Sequence, residues 1–306
     1  MTRTSIRLGL FLGFCLLFAV SVYAQELHVE QDLEYAKVGD ISLKLDLYLP
    51  AEAADAPVPL VIWVHGGAWW AGDKKSGGGA AKLLVPHGYA VASVRYRLSQ
   101  EARFPAQIHD VKGAVRWLRA HASIYNLDEA RFGAWGPSAG GHLVALLGTS
   151  ADVDMYQIGE AQMDLEGEVG GNQQFSSAVQ AVCDYYGPTD FLRMNDFPSD
   201  IDHDAADSPE SKLIGAAIQD HQDLSQLANP ISYASSNDPP FLIVHGTADP
   251  LVAFNQSELL YTALKEKYAP DQKEVSFIPV EGGGHGGFTS ATLPGSVVAF
   301  FDRHLK

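Results

Sequence analysis

The stretch Arg131-Phe132-Gly133-Ala134-Trp135-Gly136-Pro137-Ser138-Ala139-Gly140-Gly141, followed by the run His142 to Leu147, decides the fold. Arg131 to Trp135 reads as a short strand, and His142 to Leu147 as a helix. Gly136 and Gly140 stand two residues either side of Ser138. A serine on so tight a strand-to-helix turn needs glycine at those positions, because a side chain there would collide with neighbouring backbone. The turn lifts the hydroxyl clear of the sheet, and the helix N-terminus behind it favours developing negative charge. Glycine and serine at this spacing are a weak signal alone; the strand before and the helix after give it weight. Ser138 is the candidate nucleophile.

Working outward, Ile41 to Leu49 alternates apolar and polar residues, as a half-exposed strand does. Four later runs are almost continuously apolar: Pro59 to Val64, Tyr89 to Val94, Val179 to Cys183 and Phe241 to Val244. Such runs suit strands covered on both faces. Helical spacing appears between them, with Val111, Ala114, Val115 and Leu118 in one segment and Leu259, Leu260, Ala263 and Leu264 in another. The alternation predicts an α/β fold, a mostly parallel, doubly wound sheet with helices on both faces. The first strands read as antiparallel additions at one edge. A ligand site in such a sheet lies beyond the carboxyl ends of the strands, so the residues just after the apolar runs are the ones to inspect.

After Val64 comes His65-Gly66-Gly67-Ala68-Trp69-Trp70. Paired glycines let successive backbone N–H groups converge on one point, which is what an oxyanion requires. Gly67 and Ala68 are the preferred donors, joined by Ala139, while Gly66 shapes the turn and His65 braces it. Trp69 and Trp70 are candidates to line the substrate. A serine needs a base and the base an orienting acid. Asp249 follows the run ending at Val244, and His285 stands among glycines in Gly282 to Gly287, which predicts an exposed, mobile loop. The order Ser138, Asp249, His285 suits this fold. Asp184, just past Cys183, is the rival acid. His109, His121 and His142 fall on helical segments and read as surface or packing residues, His245 as support for the acid's loop, and Asp190 as a helix cap.

Acidic and basic residues number 37 and 21, for a net charge of -16, which disfavours nucleic acid and anionic membrane surfaces as partners. Arg3 and Arg7 precede an apolar stretch from Leu8 to Val20, and Val22-Tyr23-Ala24 has the form of a cleavage site. Residues 1–24 are therefore expected to be a secretory signal cut after Ala24, leaving residues 25–306 as one catalytic domain, secreted or periplasmic, without stable membrane anchoring. Thirteen apolar residues are too few for a span that needs about 20. Cys15 leaves with the signal, and Cys183 reads as a small buried hydrophobe. Asp200, Asp202 and Asp204 alternate like a calcium loop, but Ala205 and Ser211 stand where such a loop needs Gly and Glu. No metal or cofactor is expected.

His65 to Trp69, Tyr96-Arg97-Leu98 with Phe104-Pro105-Ala106, Gly136 to Gly141, Tyr186 to Asp190, and His245 to Asp249 with His285 together resemble the α/β-hydrolase superfamily of serine esterases. Within it the chain is similar to the hormone-sensitive-lipase-like esterases and to the BD-FAE group of feruloyl and acetyl-xylan esterases, over about residues 33–304. Ala68 stands where the lipase-like pattern has a third glycine, which leans the resemblance toward BD-FAE. The resemblance implies catalytic Ser138, Asp249 and His285 and no cofactor. It further implies a small-molecule or oligosaccharide ester substrate of the acetyl or feruloyl type, and a small lid around residues 191–229. General short-chain carboxylesterases and arylformamidase- or peptidase-like amide hydrolases are the neighbouring alternatives.

Overall fold

The computed structural model describes residues 27–51, 56–151, 153–269, 274–288 and 291–306. The expected secretory signal lies outside the described residues. Ten strands form in chain order: β1 Leu27–Val38, β2 Ile41–Pro50, β3 Val58–Val64, β4 Ala90–Val94, β5 Leu127–Pro137, β6 Met155–Ile158, β7 Ala161–Asp164, β8 Ala181–Tyr185, β9 Phe241–Gly246 and β10 Val275–Val280. The helices are α1 Gly78–Leu84, α2 Ala106–Ala120, α3 Ala139–Thr149, α4 Pro209–Ile214, α5 Gln222–Ala228, α6 Asn255–Lys267 and α7 Leu293–Leu305.

Eight strands make one sheet in the order β1-β2-β4-β3-β5-β8-β9-β10. The β1–β2 and β2–β4 pairings are antiparallel and the remaining pairings parallel, so the expected antiparallel edge is present. The apolar runs become β3, β4, β8 and β9, buried almost throughout, because helices cover both sheet faces. One core cluster takes Ile108, Val111 and Leu118 of α2, Leu143 and Leu147 of α3, and Leu260 and Leu264 of α6. The other takes Leu84 of α1 and Val297, Phe300 and Phe301 of α7, with Cys183 buried beneath them.

Strand order reverses around β3: the chain runs from β3 to β4 on one side and later to β5 on the other. The crevice beyond β3 and β5 lies at that reversal, where two successive connections leave in opposite directions. It receives the His65–Trp70 loop from β3 and Ser138 from β5. The β6–β7 hairpin lies apart from the main sheet and was not expected from sequence. Glu166, just after it, is held by Lys112 and Arg116 of α2.

Candidate active site

Ser138 sits at the junction of β5 and α3 with φ 55° and ψ -124°, strained backbone that a non-glycine residue adopts only when its surroundings enforce it. Its N–H donates to Tyr185 O of β8 (2.8 Å), and its carbonyl accepts from His142 N (2.9 Å). The flanking glycines have the predicted steric reason: a Cβ on Gly136 would lie 2.5 Å from Gly140 O, and one on Gly140 2.1 Å from Val64 O.

His285 Nε2 lies 3.0 Å from Ser138 Oγ, and His285 Nδ1 lies 2.7 Å from Asp249 Oδ2. The carboxylate can only accept, so Nδ1 carries the proton and Nε2 is left to accept from the serine hydroxyl. Asp249 Oδ1 accepts from Leu251 N (2.8 Å) and Val252 N (3.0 Å). Burial raises the Asp249 carboxyl, but the ring N–H groups of His245 and His285 and the Leu251 amide outweigh it, holding it well below the usual range. The His285 loop is tied by backbone bonds to the loop bearing the acid, with Ala248 N on Gly283 O and Thr247 N on Val280 O, both 2.9 Å. Gly246 is needed for that approach, since a Cβ there would meet Gly283 O at 2.2 Å.

The loop after β3 closes the other side. A Cβ on Gly66 would meet Pro137 O at 2.8 Å, so the loop rests directly on the serine turn. Gly67, Ala68 and Trp69 all have positive φ, at 115°, 53° and 55°. Gly67 O accepts from both Trp70 N and Ala71 N. Among the described residues neither the Gly67 nor the Ala68 N–H has a protein acceptor, and the Ala139 N–H belongs to the unsatisfied first turn of α3. His65 braces the loop as expected: Nδ1 contacts Gly66 O (2.8 Å), and the ring stacks on Tyr96, whose hydroxyl donates to His65 O.

The two tryptophans part company. Trp69 is buried to 1% exposure, its indole N–H donating to His142 Nδ1 (3.2 Å) and its ring edge-on to His142 and Phe191. It lines the cavity over Ser138 mainly as packing. Trp70 is 50% exposed and does not line that cavity; it stands over a neighbouring hollow with Ala68, Pro209 and Lys212. The consecutive left-handed residues Ala68 and Trp69 turn the chain between the two rings.

Asp184 does not meet His285: its Oδ1 accepts from Gly187 N (3.0 Å). His142 is a packing residue bonded to Ala228 O, His109 contacts Asp164 O, and His121 lies just past the end of α2. Asp190 caps a helical turn through Leu192 N. Asp202 and Asp204 spend their carboxylates on Asn195, Gln219 and backbone. Among the described residues no group of three or more His, Cys, Asp or Glu is placed to hold a metal. Sequence reasoning missed His203 and Glu210, which line a cavity of about 380 Å³ with Ile201, Pro209, Leu251 and Val252 over Ser138. Seven residues apart, one ahead of α4 and the other in its first turn, they form no recognisable pattern.

A mostly parallel sheet flanked by helices, with a strained serine turn facing a histidine–aspartate pair, defines an α/β-hydrolase. The BD-FAE family model matches residues 45–264, and the chain belongs to that family. It is similar to esterase LipC of Mycobacterium tuberculosis, 31% identical over 79% of this chain and 56% of LipC, and to LipQ of the same organism, 31% identical over 88% of this chain and 59% of LipQ. The chain thus spans little more than half the length of these relatives. Among solved structures it resembles a bifunctional GH43-CE protein of Bacteroides eggerthii (TM-score 0.82, 38% identity, 90% of this chain and 38% of that one). It also resembles a truncated carbohydrate esterase from gut microbiota (TM-score 0.81, 34% identity, 92% and 97%).

Proposed function

We propose that this protein is a serine carboxylic ester hydrolase acting through an acyl-enzyme on acetyl or feruloyl esters of xylan-type polysaccharide fragments. The observation that carries the reading is the continuous chain Ser138 Oγ, His285 Nε2, His285 Nδ1, Asp249 Oδ2, with links of 3.0 and 2.7 Å, beneath free backbone N–H groups. Ser138 Oγ attacks the ester carbonyl as His285 Nε2 takes its proton. The N–H groups of Gly67, Ala68 and Ala139 receive the charge on oxygen. Collapse expels the alcohol, protonated by His285, and leaves Ser138 acylated. His285 then takes a proton from water, which attacks the acyl carbonyl and releases the acid. Asp249 keeps Nδ1 protonated and stabilises the imidazolium in both halves.

The similarity to carbohydrate esterases supports the alcohol, and the apolar cavity lined by Ile201, Leu251 and Val252 supports a small acyl group. The lid of this reading is the stretch around residues 191–229, between β8 and β9, which supplies Ile201, His203, Pro209 and Glu210 to the cavity. Export through residues 1–24 belongs to the same proposal, supported by Arg3, Arg7 and the apolar stretch after them.

The test is turnover of nitrophenyl acetate, butyrate and octanoate beside acetylated xylan and methyl ferulate, with Ser138→Ala as blank. Release of acetate or ferulate from the last two is expected. Activity confined to nitrophenyl esters and rising with chain length would replace the substrate by general lipids, and an unchanged Ser138→Ala would sink the mechanism.

A further inference from the structure

Glu210, in the first turn of α4, is 2% exposed. One carboxylate oxygen, Oε2, lies 3.0 Å from His203 Nδ1. His203 Nε2 in turn faces Leu251 O (3.0 Å) and the Ser199 hydroxyl (3.2 Å). A carboxylate on one side of the ring and a backbone carbonyl on the other ask both ring nitrogens to donate, which makes this an imidazolium paired with a carboxylate. Burial opposes the charge on His203, but the bond and field of Glu210 outweigh it and raise its pKa. The pair ties the segment between β8 and β9 to the loop carrying Asp249.

That accounts for one oxygen of Glu210. Among the described residues Oε1 has no hydrogen-bond partner, yet it is not sealed in, and Glu210 lines the cavity containing Ser138 and His285. In the free cavity Oε1 is open to water, and a ligand that fills the cavity displaces that water, so it must bring a donor or leave the acceptor unpaired. A carboxylate accepts only, so the group that pairs with it is a donor; an acetyl group has none to give, and in an acetyl ester the donor must belong to the alcohol part. Pro209, the neighbour of Glu210, lines both this cavity and the hollow beneath half-exposed Trp70. Glu210 therefore lies at the end of the cavity next to that hollow.

We infer that Glu210 is a specificity-determining residue whose free oxygen accepts a hydrogen bond from a hydroxyl on the alcohol part of the ester, selecting esters of sugars over esters of simple alcohols. The inference rests on the ester-hydrolase reading and narrows its substrate. A site built around a polar partner rejects the analogue that lacks it, because the protein group is then buried unpaired.

The experiment compares wild type with Glu210→Gln on three substrates: a methyl xyloside monoacetate, the same monoacetate with its other hydroxyls methylated, and nitrophenyl acetate. Wild type is expected to lose about 10- to 100-fold in kcat/KM on methylation, the range of a charge-assisted hydrogen bond, chiefly in KM. Glu210→Gln should show a similar loss on the free xyloside, little further loss on methylation, and a loss on nitrophenyl acetate at least about 5-fold smaller than that on the xyloside. Equal losses on all three would make Glu210 a structural partner of His203 only and overturn the inference. Indifference of wild type to methylation would overturn it even if the variant failed to fold. Wild type that cleaves nitrophenyl acetate and neither xyloside would remove the carbohydrate reading and this inference with it, whereas inactivity on all three would remove the hydrolase reading itself.

Discussion

Two aspartates stand near the carboxyl ends of adjacent parallel strands, Asp184 within β8 and Asp249 three residues past β9. Both side chains are buried. Asp249 faces two backbone N–H groups and two histidine rings, and its carboxyl lies far down the acid scale. Asp184 receives the Gly187 N–H alone; its Oδ2 has no partner among the described residues, and burial pushes its pKa up to about 7. Both carboxylates lie at the carboxyl end of the sheet, but Asp184 is opposite Ile243 within the ladder while Asp249 stands on a loop, and the donors aimed at each differ. Burial penalises both anions alike, and only a converging set of N–H groups reverses the penalty. A carboxylate that must steady a histidine needs the second environment, and the loop after β9 supplies it through Leu251, Val252 and His245.

The largest test of the contrast is catalytic. Asp249→Asn should lower kcat/KM on nitrophenyl acetate by about 10³- to 10⁴-fold, because the amide allows the wrong His285 tautomer. Asp184→Asn should stay within about 3-fold of wild type. Comparable losses in the two variants would break the comparison. Next comes the space around Asp184: a Cβ on Gly141 would lie 2.3 Å from Asp184 Oδ1 and 2.8 Å from Tyr185 O. Gly141→Ala should therefore cost about 3 kcal/mol in urea unfolding, since backbone cannot swing aside as a side-chain end can.

A third effect concerns pH. Asp184 has a folded pKa of about 7 against 3.8 in the unfolded chain. Between those values the folded state holds a proton that the unfolded state has released, so stability falls as pH rises from about 4 to 7 and then levels off. Asp184→Asn removes that slope. It should be more stable than wild type by up to about 4 kcal/mol at pH 8 and nearly equal to it at pH 4, measured by urea unfolding at both values. A variant less stable than wild type at pH 8 would mean that the Asp184 anion has compensation the contact set does not contain.

This contrast also marks what the sequence could carry. Continuous apolar runs predicted β3, β4, β8 and β9 because burial on both faces leaves only that pattern. Gly136 and Gly140 predicted the serine turn because sterics leave no other residue. Boundaries moved where the local pattern faded: β5 extends from Leu127 to Pro137, and α2 starts at Ala106, ahead of the spacing that begins at Val111. The β6–β7 hairpin escaped notice because most of its residues are exposed or half-exposed and so lack a strong alternation. His203 and Glu210 escaped because their meaning is a tertiary pairing. Trp69 and Trp70 were indistinguishable as neighbours, and the left-handed turn at Ala68 and Trp69 that separates their environments has no signature in non-glycine residues.

The central claim is that Ser138 is the nucleophile and that Asp249, not Asp184, tunes it through His285. It is tested most directly by timed fluorophosphonate labelling with peptide mass mapping of wild type, Asp249→Asn and Asp184→Asn. One adduct is expected, on the peptide containing Ser138, forming at least about 100-fold more slowly in Asp249→Asn and at the wild-type rate in Asp184→Asn. An adduct on another residue, or labelling slowed by Asp184→Asn and untouched by Asp249→Asn, would contradict it.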